Sequence, residues 1–298
     1  MSVPDAVQGN EAWSIRKVLS WATDDFRRRA NPSARLDAEL LLALALGLDR
    51  IQLIVQAERV LDAQELARYR DMIKRRRSGE PVAYLLGQRE FYALAFHVDR
   101  RVLIPRPDTE TLVEVALDRT AEKSMYGRAL DLCTGSGCVA IAFRSRRPTW
   151  RVDAVDISPD AIDVARENAL RTGTTWGLRF LVGDLYAPLD EAQRFDLITA
   201  NPPYIPSAEL AGLAADVRDF EPRLALDGGA SGLDVAGPIV AQAPQWLLPG
   251  GVLALEVGFD QAPAIARLFE QAGFEAIAKQ RALASVERVV SGRWRGRV

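Results

Sequence analysis

Four consecutive residues, Asn201-Pro202-Pro203-Tyr204, lie directly behind the apolar run 195–198 and could do chemistry. Proline has a fixed φ and no N–H donor, so this corner would be rigid and would present acceptors. An amide or ring-amine nitrogen is a poor nucleophile because its lone pair is delocalised. The Asn201 side-chain oxygen and the Pro202 carbonyl could hold such an NH₂ group while Tyr204 lies against its plane. The corner therefore predicts nitrogen methylation by positioning and oriented dipoles, without a general base, and these four residues are the predicted catalytic group. A plain proline-rich turn is the alternative when the corner is taken alone.

A glycine-rich turn about 65 residues earlier has the form of a cofactor loop. It follows a predicted strand in the stretch "LDLCTGSGCVAIA", and glycine is required where backbone approaches a ligand or takes a positive φ. Asp156 ends the next predicted strand, 19 residues after Gly137, where a carboxylate can accept hydrogen bonds from a ribose diol. The predicted cofactor residues of this loop are Asp131, Cys133, Thr134, Gly135, Ser136 and Gly137.

The identity of the cofactor is ambiguous from the loop alone. Gly135-x-Gly137-x-x-Ala140 also fits a dinucleotide fingerprint, and a glycine turn without a ligand is a further alternative. Two features favour S-adenosylmethionine, whose product is S-adenosylhomocysteine. Asp131 precedes the glycines, where it can reach a cationic amino group, and nicotinamide chemistry has no use for the corner at Asn201. Further predicted cofactor contacts are Ile157, Asp184, Leu185 and Asn201, with Asp184 placed to meet the adenine amino group.

Apolar runs and helical segments alternate over most of the chain. Helical patterns such as 157–173 separate several of the predicted strands, which are 129–132, 152–156, 178–182, 195–200 and 251–257. This alternation predicts an α/β fold with a parallel sheet, helices on both faces and ligands beyond the carboxyl ends of the strands.

The first part of the chain has a helical pattern instead. Apolar residues recur at three- and four-residue spacing over 35–50 and 62–79, and Asp62 with Glu65 resembles a capping box. The basic run at its end, 74–77, is interpreted as a cationic helix end, with a docking patch for an acidic or RNA-rich partner as the alternative. The stretch 90–107 is predicted to be a hairpin or an extended linker.

Composition excludes several classes of function. The 298 residues are 48% hydrophobic and 26% charged with a net charge of -2, which gives no general attraction to nucleic acid. Two cysteines, Cys133 and Cys138, and one histidine, His97, argue against a disulfide framework, a zinc-type site and a histidine triad, so no metal is expected. The longest apolar run falls far short of the about 20 residues of a membrane span. The N-terminus shows no signal-peptide pattern, so we expect a cytoplasmic protein.

The sequence resembles the PrmC/HemK family of N5-glutamine methyltransferases, which modify peptide chain release factors. The resemblance covers nearly the whole chain and is carried by "RRRSGEPVAYLLGQREFYALAFHV", "LIPRPDTETLVE", "DLCTGSGCVAIA", "NPPYIP" and "VRDFEPRLALDGGASGLD". Three features depart from the family pattern. Leu185 stands where an aromatic is frequent, Cys133 where glycine is common, and "RALASVERVVSGRW" lacks the Asp and Gly often found before the arginine, here Arg288.

This resemblance implies a class I S-adenosylmethionine-dependent methyltransferase with a Rossmann-like, seven-stranded, mostly parallel sheet. It implies a helical substrate-docking domain over 1–88, a hairpin or linker over 89–110 and a methyltransferase domain over 111–298. The expected substrate is the glutamine of the Gly-Gly-Gln loop of class 1 release factors, and Phe91, Arg106 and Pro107 are expected to line its pocket. We expect a monomer without stable binding to nucleic acid or membrane. A ribosomal-protein glutamine methyltransferase, a DNA adenine N6-methyltransferase and a non-catalytic cofactor-binding scaffold are the alternatives.

Overall fold

The computed structural model describes residues 12–282 and 285–296. Most of the N-terminal stretch inspected for a signal peptide, and two residues of the altered segment before Arg288, lie outside these ranges. The described helices are α1 (Ile15–Arg28), α2 (Ala34–Leu46), α3 (Arg50–Val55), α4 (Ala63–Arg77), α5 (Val82–Leu86), α6 (Glu110–Arg119), α7 (Cys138–Arg146), α8 (Pro159–Arg171), α9 (Ala215–Arg218), α10 (Ala236–Trp246) and α11 (Ala262–Gln271). The described strands are β1 (Gln88–Phe91), β2 (Leu94–His97), β3 (Arg128–Leu132), β4 (Arg151–Asp156), β5 (Leu178–Val182), β6 (Phe195–Ala200), β7 (Leu247–Glu256), β8 (Phe274–Arg281) and β9 (Glu287–Trp294).

The described chain forms two compact units. The first holds the residues up to Gly87 together with Ala215–Phe220, and the second holds Gln88–Ala214 and Glu221–Val298 as far as they are described. No helix in the described part of the chain is both long and apolar enough to cross a membrane.

The first unit is a set of helices around its own apolar core, in which Ile15, Phe26, Leu41 and Ile73 are at most 2% exposed. The predicted helix over 35–50 is interrupted: α2 ends at Leu46, because Gly47 takes a left-handed conformation with φ of 65°, and α3 begins at Arg50. The predicted capping box at Asp62 is present, since the Asp62 side chain accepts from the backbone N–H of Glu65.

The basic run at the end of α4 is largely occupied by ion pairs inside this unit. Arg76 donates to Asp37 at 2.9 Å, and Arg77 donates to both oxygens of Asp25 at 2.7 and 2.8 Å. Arg75 binds Glu80. Because Asp25 and Asp37 are 5% exposed, these arginines compensate buried carboxylates and leave little of the run available for a docking patch.

The second unit is built on a seven-stranded sheet in the order β5-β4-β3-β6-β7-β9-β8. The five strands from β5 to β7 pair in parallel, and β9 runs antiparallel between β7 and β8. This confirms the predicted α/β fold with a mostly parallel sheet. The strand order reverses at β3, which lies between β4 and β6, so a crevice opens at the carboxyl ends of these strands.

Helices cover both faces of the sheet, as the alternating pattern predicted. Leu130 and Ile198 pack towards α10 and α11, whereas Ala129 and Leu197 on the opposite face pack with α6 and α7. Consecutive residues of each strand therefore pack into different cores, which explains why most residues of these strands are apolar on both faces.

A short hairpin precedes the sheet in the same unit. β1 pairs antiparallel with β2, and the two turn residues, Tyr92 and Ala93, have φ of 51° and 59°. These angles fit a type I′ turn, in which both central residues take positive φ. The stretch predicted to be a hairpin or linker thus forms a hairpin followed by a turn, in which the Val102 N–H donates to the Asp99 carbonyl, and irregular chain up to Pro107.

Candidate active site

A cavity lies at the carboxyl ends of the parallel strands, within the second unit. Many residues predicted from the sequence line it: Arg106, Asp131, Cys133, Thr134, Gly135, Ser136, Asp156, Ile157, Asp184, Leu185, Asn201 and Pro203. Five predicted residues do not: Phe91, Pro107, Gly137, Pro202 and Tyr204. The cavity brings the glycine loop and the proline corner, which are about 65 residues apart in sequence, to one place.

The glycine loop turns sharply between β3 and α7. Cys133, Gly135 and Gly137 have φ of 56°, 54° and 78°, so three of its five residues are left-handed. A Cβ on Gly135 would meet no atom within 4 Å, whereas one on Gly137 would lie 3.0 Å from Cβ of Ala165. Gly137 therefore allows α7 to pack closely on α8 and does not contact the cavity itself.

Asp131 is fixed beneath this loop. Its Oδ2 accepts from the Thr134 hydroxyl at 2.6 Å and its Oδ1 accepts from the Thr199 hydroxyl at 2.7 Å. Burial raises its pKa to about 6, although both hydroxyl groups favour the carboxylate and oppose this rise. The side chain is 2% exposed, yet it borders the cavity, where a cationic ligand could compensate its charge.

Asp156 ties the loop to the end of β4. Its Oδ2 accepts from the Gly135 N–H at 2.8 Å and its Oδ1 from the Ser158 N–H at 2.9 Å. Burial raises its pKa, and these backbone donors oppose the rise. Each oxygen keeps a lone pair for another donor, such as a hydroxyl group of a ribose.

The charges around the cavity discriminate between the two cofactor classes left open by the sequence. Four carboxylates line it: those of Asp131, Asp156 and Asp184, and that of Asp227, which is paired with Arg223. The two lining arginines are already paired, Arg101 with Asp99 and Arg106 with Glu221. A ligand with an ammonium group, a sulfonium and hydroxyl donors fits this donor set, whereas a pyrophosphate against the carboxylates would be repelled. In the described residues we find no group of three His, Cys, Asp or Glu side chains suited to hold a metal ion.

The proline corner is held from behind by the loop 226–232. The Ile205 N–H donates to the Leu226 carbonyl at 3.0 Å, and Gly228 donates back to the Ile205 carbonyl at 2.8 Å. A Cβ on Gly228 would lie 2.8 Å from the Pro203 carbonyl oxygen, so only glycine fits at this approach. The Gln261 side chain donates to the Tyr204 carbonyl at 2.8 Å. Burial raises the pKa of Tyr204 to about 12, which keeps its ring neutral.

The Asn201 amide is oriented by a threonine. Its Nδ2 donates to the Thr109 hydroxyl at 3.3 Å. Among the described residues, no group donates to Asn201 Oδ1 or to the Pro202 carbonyl. Both oxygens therefore lack a donor within the described residues, and of these two residues Asn201 lines the cavity whereas Pro202 does not.

Phe91 has a different position from the one expected. Its side chain is 1% exposed and packs in a core with Phe96, Leu112 and Val289, where its ring meets Phe96 edge-to-face at a centroid distance of 6.0 Å. The aromatic side chain at the end of β1 is therefore part of the core. Its residue type alone does not distinguish a core position from a position in a pocket.

Comparisons with known proteins identify the family of this chain. Residues 17–87 match the family model of the PrmC N-terminal domain, and residues 108–215 match that of the methyltransferase small domain. A release factor glutamine methyltransferase of Geobacter sulfurreducens is 44% identical over 283 residues, covering 95% of this chain and 98% of that protein. A second one, from Burkholderia pseudomallei, is 47% identical over 90% of this chain and 95% of its own length. The chain belongs to the release factor glutamine methyltransferase family.

A solved structure shows the same fold at much lower identity. The 16S rRNA N2 G1207 methyltransferase of T. thermophilus, in complex with AdoMet and guanosine, is 21% identical, covers 70% of this chain and 50% of its own, and has a TM-score of 0.51. This likeness concerns the fold alone.

Sequence reasoning missed several residues that shape the site of this family member. Thr199, Thr109 and Glu221 hold Asp131, Asn201 and Arg106 respectively. Thr109 belongs to "IPRPDTE", a stretch that carried the family resemblance, and Glu221 to "VRDFEPRLALDGG". These stretches were the available signal, but the partner of each residue could not be read from them.

Proposed function

We propose that this protein transfers a methyl group from S-adenosylmethionine to the side-chain amide nitrogen of the glutamine in the Gly-Gly-Gln loop of class 1 release factors. The observation that carries the proposal is the Asn201–Tyr204 corner, in which Asn201 Oδ1 and the Pro202 carbonyl accept from no described residue and Asn201 lines the cavity bounded by Asp131 and Asp156. Membership of the release factor glutamine methyltransferase family supports the choice of substrate.

The protein's own residues act on the cofactor by binding and orienting it. Asp131 would accept from its ammonium group, Asp156 from its ribose hydroxyls, and Asp184 from the adenine amino group. Ile157 and Leu185, which line the same cavity, would contact the adenine ring. S-adenosylmethionine supplies a methyl group on a cationic sulfur, which an oriented nucleophile can accept.

The corner acts on the glutamine by orientation. Asn201 Oδ1 and the Pro202 carbonyl would each accept one N–H of the substrate amide, which directs its nitrogen towards the methyl group. As positive charge develops on this nitrogen, both N–H groups become stronger donors and the two acceptors stabilise the transition state. The methylated amide would then release one of its two N–H protons to water. Arg106 with the segment at Leu224 would form the wall of the glutamine pocket.

We extend the proposal to the rest of the chain. The helical residues 1–88 would dock the release factor, and residues 111–298 would carry out the methyl transfer. Residues 89–110 would connect these two domains. The protein would act as a monomer in the cytoplasm, without stable binding to nucleic acid.

The decisive experiment is a transfer assay with labelled S-adenosylmethionine. It offers purified release factor, the same factor with its Gly-Gly-Gln glutamine replaced, the large-subunit ribosomal protein and duplex DNA, and mass spectrometry locates the label. We expect label on the release-factor glutamine alone, and a loss of about 100- to 1000-fold in rate for Asn201→Ala, because one oriented acceptor is removed. Label on the ribosomal protein or on DNA would keep the chemistry and overturn the substrate. Cofactor binding without any labelled acceptor would favour a non-catalytic cofactor-binding scaffold.

A further inference from the structure

A buried carboxyl group lies beside the Asn201 corner and has no role in the mechanism above. Glu256 is the last residue of β7 and is 2% exposed. Ala200 of β6 is paired with Leu255 of β7 in the parallel register, so the next residues along both strands, Asn201 and Glu256, are neighbours at the carboxyl edge of the sheet. Glu256 Oε2 has no hydrogen-bond partner among the described residues.

Thr109 connects this carboxyl group to the amide of Asn201. The Thr109 side chain lies near Glu256 and favours the carboxylate form of that group, and the Thr109 hydroxyl accepts from Asn201 Nδ2 at 3.3 Å. The residue is 2% exposed and ends the turn Pro107–Thr109 that opens α6. This turn is held to β9 by an ion pair of 3.0 Å between Asp108 and Arg288, so Thr109 has a fixed place between the two side chains.

A hydroxyl group has one proton, and this fixes the polarity of the chain of hydrogen bonds. When Glu256 is a carboxylate, it can only accept, so the Thr109 proton is directed to it and the Thr109 oxygen accepts from Asn201 Nδ2. Asn201 Oδ1 is then turned to the cavity. When Glu256 is protonated, it can donate to Thr109, whose proton becomes available for Asn201 Oδ1. The amide would then present Nδ2, a donor, to a substrate NH₂ group that needs an acceptor.

We infer that the Glu256 carboxylate, acting through the Thr109 hydroxyl, determines which end of the Asn201 amide faces the substrate, and that Thr109 and Glu256 are positioning residues of the methyl transfer. The inference deepens the proposed function and rests on it, because Asn201 is the group being oriented. It assigns a purpose to a buried carboxyl group that burial alone would disfavour.

The same arrangement makes the transfer dependent on pH. Burial raises the pKa of Glu256 to about 7, while Thr109, Arg288 and Arg106 favour its charged form and Asp108 opposes it. Tyr204 of the corner and Cys138 of α7 also interact electrostatically with it, and burial keeps both neutral. Above this pKa the carboxylate orients the amide correctly, and below it the orientation is lost. The turnover number should therefore fall as the pH decreases through about 7.

The test compares kcat of the full chain at saturating cofactor and release factor, from about pH 5.5 to 8.5. Thr109→Val keeps the shape and removes the hydroxyl, and we expect at least a 10-fold loss of kcat at the alkaline end. Thr109→Ser restores the hydroxyl and should recover most of the rate. Glu256→Gln should lower kcat and abolish the acid limb, which is the fall of kcat at low pH. Thr120→Val is the matched control, since the Thr120 hydroxyl is equally buried at the end of α6 but binds the Ala116 carbonyl at 2.6 Å, and it should leave kcat and the limb unchanged.

The outcomes separate this inference from the proposed function. If the wild type labels the release-factor glutamine and Thr109→Val equals Thr120→Val in kcat, the inference is wrong and the function stands. An acid limb that persists in Glu256→Gln also overturns it, and this variant decides if Thr109→Val does not fold. If another acceptor carries the label, the same comparison is made with that acceptor. A wild type that methylates none of the acceptors overturns both proposals.

Discussion

At the scale of single residues, the site depends on carboxyl groups whose burial is costly. A rise of the Asp131 pKa from 3.8 to about 6 corresponds to about 3 kcal/mol by which the folded protein disfavours the charged form. The sign follows from the direction of the shift. Because the folded pKa is raised, stability of the ligand-free protein is highest below about 4 and declines as the pH increases through about 6. A cationic ligand beside Asp131 would offset this cost.

Binding of S-adenosylmethionine should therefore weaken as the pH falls below about 6, where Asp131 becomes protonated and no longer attracts the ammonium group. Calorimetric titration across this range measures the change. Methylthioadenosine is the matched ligand, since it keeps the adenosine and lacks the ammonium group, and its affinity should depend much less on Asp131. Equal pH dependence for both ligands would show that Asp131 does not hold the ammonium group.

Local sequence predicted those site residues that act through their own segment. The glycine loop and the proline corner are contiguous motifs, and strand ends are marked by apolar runs, so Asp131, Asp156 and Asn201 could be placed in advance. Thr109 and Glu256 could not, because their relevance arises from partners 92 and 55 residues away, respectively, which only the fold brings together. Phe91 was predicted to line the pocket but lies in the core, because an aromatic residue type fits both positions equally well.

At the scale of elements, five of the seven sheet strands followed from apolar runs. β8 and β9 were not recognised individually, because the pattern "FEAIAKQR" of β8 is half polar and β9 contains charged ends. Both lie at the far side of the sheet, where antiparallel strands can be partly solvated and lose the continuous apolar signature. The total of seven strands was predicted only from the family resemblance.

The junction of α7 and α8 gives a prediction for an element. Gly137→Ala would place a methyl group 3.0 Å from Ala165 at a φ of 78°, so α7 must shift and the cofactor loop with it. Gly173→Ala, at a φ of 68° with no atom within 4 Å, carries only the backbone strain of about 1–2 kcal/mol. Thermal unfolding should show a larger loss for Gly137→Ala, together with weaker cofactor binding that Gly173→Ala does not share. Equal losses would mean that α7 and α8 can separate without consequence.

At the scale of the whole molecule, the two units have separate cores. The buried apolar residues of the first unit, among them Ile15, Leu41 and Ile73, pack with one another, while the sheet of the second unit has its own clusters on both faces. The separation is consistent with docking and transfer being carried by different parts of the chain.

Deleting residues 1–87 tests this division. We expect the fragment 88–298 to bind S-adenosylmethionine with an affinity close to that of the full chain, because every residue lining the cavity belongs to the second unit. Methylation of intact release factor should fall at least 10-fold through a higher KM, since docking is lost. The helical fragment 1–87, added separately, should retain its circular dichroism. An unchanged KM for the deletion would show that the helical unit does not dock the substrate.

The strand order also has a consequence for how the chain is made. During synthesis β8 leaves the ribosome before β9, yet β9 is the strand that pairs with β7. From the emergence of β7 until β9 follows, a ten-residue strand has an open edge, and β8 is the nearest segment able to pair with it wrongly. Such an interval favours non-native pairing or aggregation of the nascent chain. A pause in translation before residue 287 would prolong this exposure, so codon choice in that region should affect the yield of folded protein more than it does elsewhere in the chain.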